Sequence, residues 1–149
     1  MSRPLKHASL NIRLIQTREA LMNNFRPILN DAGVTDQQWR IIRLLAESGT
    51  LDFQELAAKA CILRPSLTGI LTRLEKSGFL VRLKPSNDQR RVFLKLTEAG
   101  EKMYIDTCSR VDDCYDLIEA KWSKAKIEQL HELLADFCQC MNQETEKAE

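Results

Sequence analysis

The chain has 149 residues, 44% of them hydrophobic and 29% charged, with a formal net charge of +1. That balance excludes a disordered or low-complexity protein and leaves room for one core of ordinary size. No apolar run reaches the ~20 residues of a membrane-spanning helix, and the start MSRPLKHASLNIRL lacks a secretory apolar stretch, so a cytoplasmic location without membrane contact is expected.

The placement of charge says more than its total. Residues 59–95 hold nine Lys/Arg against two acids, whereas residues 96–149 hold six against thirteen. A basic middle joined to an acidic end suggests one segment for a polyanion and another for something else. Five cysteines (Cys61, Cys108, Cys114, Cys138 and Cys140) without CxxC spacing, and only two histidines, His7 and His131, give no zinc template. Reduced, mostly buried thiols and no metal or cofactor are expected.

In chain order, Leu10, Leu14, Leu21 and Phe25 predict a first helix over residues 10–30, with a kink or break near Arg26 because Pro27 lacks an N–H. DAGVTD punctuates, and Thr35 or Asp36 is placed to cap a second helix carrying Trp39, Ile42 and Ala46 on one stripe and Ile41, Leu44 and Leu45 on another. LDF reads as a very short strand. Asp52 caps a third helix, with Glu55 at capping-box spacing. In RPSLTGILTRLEKSG, Pro65 suits the first turn of a fourth helix, Leu67, Ile70, Leu71 and Leu74 its buried face, and Gly78 its end. FLVRLKP and RRVFLKL then alternate as strands around Ser86-Asn87-Asp88-Gln89. The order is that of a winged helix-turn-helix, mainly α with a small β wing.

Two long helices follow. Tyr104, Cys108, Val111, Tyr115, Ile118 and Trp122, then Ile127, Leu130, Leu134, Phe137 and Met141, recur every three or four residues, the rhythm of a helical seam. Roughly 25 residues make a helix about 38 Å long, longer than one small domain covers, so a dimerisation region built with the N-terminal helix is expected. The tail QETEKAE is expected to fray. The resulting division is 1–34 and 97–149 for dimerisation and 35–96 for DNA binding.

The basic segment has the chemistry of a DNA reader. Ser66 and Thr68 present small hydroxyls, Gly69 leaves room for close approach, and Arg73 reaches a phosphate or a guanine edge. Ser66 and Thr68 have a second reading as helix caps. Arg90 and Arg91 at the hairpin tip suit a narrow minor groove, and Arg82, Lys84 and Lys95 suit backbone phosphates. Asp88 either accepts from the Arg90 side chain and orients it or is an Asx-turn residue.

PSLTGILTRLEKSGFLVR followed by DQRRVFLKLTEAG resembles the signature of the MarR family of transcriptional regulators. Asp88, Arg90, Leu94, Leu96 and Thr97 are its most specific positions, and the likeness runs from the first helix to the last. The resemblance implies a triangular homodimer on a pseudo-palindromic operator in double-stranded DNA, usually as a repressor. It places the helix Arg64–Ser77, with Arg64 and Thr72, in the major groove and the wing Lys84–Arg91, with Gln89, in the minor groove. It also implies a small acidic effector, such as a hydroxyphenylacetate or a fatty acid, held among the first, second and fifth helices. Candidates there are His7, Ser9, Arg18, Met22, Trp39 and Arg43. Arg43 equally suits an ion pair with Glu47, and Trp39 suits the core.

Three rivals differ in class. An enzyme lacks a Gly-rich phosphate loop, a metal cluster or a base–nucleophile pair. A helical interaction module would use only the C-terminal seam. A cysteine-based redox regulator is disfavoured because no cysteine precedes Cys61.

Overall fold

The computed structural model describes residues 3–88 and 90–147. Six helices and three short strands follow one another as α1 (Leu10–Ala32), α2 (Asp36–Ser48), β1 (Leu51–Asp52), α3 (Phe53–Ala60), α4 (Arg64–Lys76), β2 (Leu80–Leu83), β3 (Phe93–Leu96), α5 (Glu98–Lys121) and α6 (Lys124–Lys147). The chain divides into two compact units, one ending at Val111 and the other beginning at Asp112, with α5 running through the boundary.

In the first unit the caps fall where the side chains dictate. Ser9 Oγ accepts from Ile12 N at the start of α1. Thr35 and Gln38 form a reciprocal capping box on α2, and Asp52 and Glu55 form another on α3. Of the kink or break expected near Arg26, the break does not occur: α1 is continuous to Ala32. Phe25 and Leu29, buried on either side of the proline, tie the last turns to the core, and Gly33 closes the helix at φ 76°.

The three strands pair antiparallel in the order β1-β3-β2, with Leu51 opposite Leu94 and Leu80 opposite Leu96. Both hairpin strands are shorter than the alternating pattern suggested. Residues 84–88 and 90–92 lie outside the ladder, and the turn closes from Asp88 N to Pro85 O at 3.3 Å. Leu56, Leu67, Leu71, Leu74, Leu80 and Leu94, all under 2% exposed, join α3, α4 and the sheet to Ile41 and Ile42 of α2.

The Leu-x-Leu-Thr run at the end of β3 has a mechanical reason. Leu94 and Leu96 are buried, and Thr97 Oγ1 donates to Gly78 O while accepting from Gly100 N, so one hydroxyl joins the end of α4 to the start of α5. A Cβ at Gly100 would lie 2.1 Å from Phe79 O, which is why that position has no side chain.

In the second unit, Ser123 Oγ accepts from Lys126 N at the start of α6. Helix α6 continues to Lys147, so most of the tail expected to fray is helical. Leu130, Leu133, Leu134, Phe137 and Met141 on α6 are all exposed in the single chain. The thiols also depart from expectation. All five are free, and none is buried: Cys61, Cys138 and Cys140 are exposed and the other two half-buried. Cys61 occupies the left-handed C-cap of α3, and Cys138 and Cys140 lie on the exposed stretch of α6 that also carries Leu133, Leu134 and Phe137.

Candidate nucleic-acid interface and effector region

Helix α4 has a sharp division of labour. Leu67, Ile70, Leu71 and Leu74 are buried, which leaves Arg64, Ser66, Thr68, Gly69 and Arg73 on the exposed side. Its N-cap is Leu63, which makes no side-chain cap bond, so the capping role open to Ser66 is not the one it takes. Thr68 Oγ1 donates to Arg64 O at 3.1 Å and Thr72 Oγ1 to Thr68 O at 3.0 Å. Thr72 Oγ1 also accepts from Arg82 Nη2 at 2.9 Å, while Arg82 Nε lies 3.4 Å from Glu75 Oε2. Arg82, expected to face phosphates, is thus turned onto α4 and partly buried. Its charge is spent inside the fold, and only Lys84 and Lys95 of that set stay exposed.

At the wing the two adjacent arginines part company. Arg91 Nη2 donates to Asp52 Oδ2 at 3.1 Å, and its guanidinium lies 4.8 Å from the centre of the Phe93 ring. Arg90 is exposed, and among the described residues its side chain has no ion-pair partner. The same holds for Arg64 and Arg73. Asp88 Oδ1 accepts from the backbone N–H of Arg90 at 3.0 Å, so Asp88 shapes the turn and does not orient the Arg90 side chain. Gln89, the remaining wing candidate, lies outside the described residues.

Arg64, Arg90 and Arg91 line a cleft of about 400 Å³ together with Asp52, Phe53, Gln54 and Val92. It joins the starts of α3 and α4 to the wing. Asp52 is the acid within it, and its carboxyl is held below the usual aspartate value. The main cause is the hydrogen bond from the Glu55 backbone N–H, opposed by partial burial and assisted by Arg91. Phe53 and Gln54 were not singled out from the sequence, because only the docking of α3 against the wing brings them beside Arg64.

The effector candidates are distributed differently. Arg18 is paired with Asp36, which also accepts from Arg40 Nη2 at 2.8 Å, and Arg40 Nη1 reaches Ala60 O at 2.7 Å. Arg43 Nε donates to Glu47 Oε1 at 2.8 Å. Trp39 is 8% exposed and stacks on Tyr104 with centroids 5.7 Å apart. Met22 is half-buried on α1, Ser9 serves as its cap, and His7 is exposed ahead of it. Asp36, one of two cap candidates, and Tyr104, a seam residue by its spacing, instead meet Arg18 and Trp39, because these contacts join helices distant in sequence. Another cleft of this unit, about 290 Å³ among Leu45, Lys95, Glu101, Tyr104 and Ile105, is lined by none of the six candidates.

No cluster of three or more potential metal ligands forms among the described residues, and no described helix is long and apolar enough to cross a membrane. The Cys114 thiol is pushed up by burial, away from the reactive thiolate.

A three-helix core, a two-stranded wing and an outward helix face rich in arginine define a winged helix-turn-helix regulator. Comparison with known proteins agrees. Residues 34–92 match the MarR family model. The chain is 69% identical to the HTH-type transcriptional regulator FarR of Neisseria gonorrhoeae, over 89% of this chain and 90% of that protein. It is 51% identical to the homoprotocatechuate degradative operon repressor of Escherichia coli, over 88% of each. The crystal structure of NadR in complex with 4-hydroxyphenylacetate superposes with a TM-score of 0.82 at 68% identity, covering 92% of this chain and 97% of that one. The chain belongs to the MarR family and is a transcriptional regulator.

Proposed function

We propose that the chain acts in the cytoplasm as a homodimer on a pseudo-palindromic operator in double-stranded DNA, repressing transcription until a small acidic effector releases it. The observation that carries this reading is the set Arg64, Arg73 and Arg90: all exposed and without ion-pair partners among the described residues, Arg64 and Arg90 in one cleft and Arg73 in the last turn of α4. Unneutralised cations on one surface raise its positive potential, and a phosphate backbone is attracted to it. In this reading Ser66, Thr68 and Gly69 approach the major groove, and Lys84, Asp88, Gln89, Arg90 and Arg91 form the wing in the minor groove. Thr72 acts by packing, since its hydroxyl both donates and accepts within the protein.

Residues 1–34 and 97–149 hold the two copies together. Leu10, Leu14 and Ile15 of α1, and Leu134, Phe137 and Met141 of α6, leave apolar surface that a second copy covers. The effector is an aromatic acid of the hydroxyphenylacetate class, supported by the ligand of the related NadR. Its carboxylate competes with Glu47 for Arg43 or with Asp36 for Arg18, its ring meets Trp39 and Met22, and His7 and Ser9 close the end. Release requires that effector and operator favour different separations of the two α4 helices. No catalytic role is assigned to any residue.

The decisive measurement is fluorescence anisotropy of the purified chain on duplexes selected from a random pool, with and without 4-hydroxyphenylacetate or a long-chain fatty acid. Two-fold symmetric selected sites, weakened binding for Arg90→Ala and release by the aromatic acid are expected. A monomer in sedimentation that enriches no sequence would refute the reading.

A further inference from the structure

We propose that Leu63 is a specificity-determining residue that reads the C5-methyl group of a thymine at the edge of each half-site, an inference that rests on the DNA-binding reading above. Position 63 is the N-cap of α4 (φ −63°, ψ 141°), where Ser, Thr, Asp or Asn would accept from a free backbone N–H. Leucine supplies no acceptor there, and no side-chain cap bond forms. Its carbonyl starts the helix by accepting from Leu67 N at 2.9 Å, so the backbone is committed while the side chain is not.

That side chain is 80% exposed, in contrast to the buried Ile62 before it and Leu67 after it. Helix stability therefore does not account for leucine, and neither does packing within the chain. Both features are unfavourable for the isolated protein. What distinguishes the position is its neighbourhood: Leu63 is bonded to Arg64, which lines the cleft shared with Arg90 and Arg91. An apolar branched side chain next in sequence to Arg64 meets a duplex whose phosphates engage the cations of that cleft. The apolar group within reach of a major-groove helix start is then the thymine methyl. Aspartate at the same position would cap the helix and repel the phosphates; leucine does neither.

The test uses the full-length protein and the duplex it selects. Each thymine is replaced in turn by deoxyuridine, which removes the methyl and keeps every hydrogen-bonding group. Wild-type protein should lose about fourfold in affinity at one thymine per half-site, the size expected for one buried methyl group. Leu63→Ala should bind more weakly to the thymine duplex and equally to both, because the methyl has lost its partner. Leu63→Ser should raise the melting temperature by restoring a cap and also lose the discrimination, which separates reading from folding. Wild type indifferent to every methyl, or a Leu63→Ala variant that keeps the fourfold difference, would overturn the assignment while leaving DNA binding intact. Failure of the wild type to bind any duplex would instead remove the reading on which it stands.

Discussion

On α1 and α2, Arg18, Arg40 and Arg43 each have a carboxylate partner, Asp36 for the first two and Glu47 for the third. On α4 and the wing, Arg64, Arg73 and Arg90 have none among the described residues. The same side chain thus serves two ends. Where it is paired, an acidic ligand must displace or share a resident carboxylate, so binding there is an exchange and can be coupled to a shift of helices. Where it is unpaired, the field extends outward and attracts any polyanion without an ion pair inside the protein having to break. Arg91 belongs with the first group although it stands next to Arg90, because Asp52 and Phe93 hold it.

Replacing Arg64, Arg73 and Arg90 together by glutamine gives the largest expected effect. In a dimer this removes six cations, and at ~0.9 per contact the slope of log affinity against log salt should fall by about 5, with affinity down on the order of 10³-fold near 0.1 M salt. The paired set Arg18, Arg40 and Arg43, changed likewise, should leave that slope unchanged and alter the effector response. A salt titration in which both triple variants flatten the slope equally would break the comparison.

Two glycines sharpen the same contrast between inward and outward surfaces. Gly100→Ala places a carbon 2.1 Å from Phe79 O. Overpacking there should cost about 1–3 kcal/mol in denaturant unfolding. At Gly69, in the interior of α4, an added Cβ would meet nothing within 4 Å. Gly69→Ala should therefore stabilise the free protein by up to ~1 kcal/mol and yet weaken operator binding, because the proposed DNA contact needs that space. Tighter binding by Gly69→Ala would remove this position from the interface.

Much of this contrast was legible in the sequence, and the reasons are specific. Period and capping are local, so α2, α3 and α4 follow from Thr35, Asp52, Pro65 and the apolar spacing. The wing follows from alternation around a turn. Partnership is not local. An ion pair four residues apart on one helix is readable from spacing, and the Arg43–Glu47 pair formed. The Arg91–Asp52 and Arg82–Thr72 bonds join positions 39 and 10 residues apart through the fold, and no spacing announces them. The break considered at Pro27 is absent for a related reason: a proline's local cost is outweighed when Phe25 and Leu29 are buried on both sides of it.

Asp52 gives the smallest expected effect and tests whether Arg91 is truly held inward. Its carboxyl is lowered chiefly by the Glu55 backbone N–H and further by Arg91, so the folded state favours the ionised form more than the unfolded state does. The stabilisation is complete above the ordinary aspartate value and fades as pH falls through the lower, folded-state value. Melting temperature followed from pH 5 to about pH 3 should therefore decline more steeply for wild type than for Asp52→Asn, which retains a capping oxygen but not the charge. Above that range the variant should also free Arg91 to act as Arg90 does, increasing the salt dependence of DNA binding. An Asp52→Asn protein with an unchanged salt slope would mean that Arg91 contacts the same phosphates whether or not the carboxylate holds it, and the division between the two neighbouring arginines would not stand.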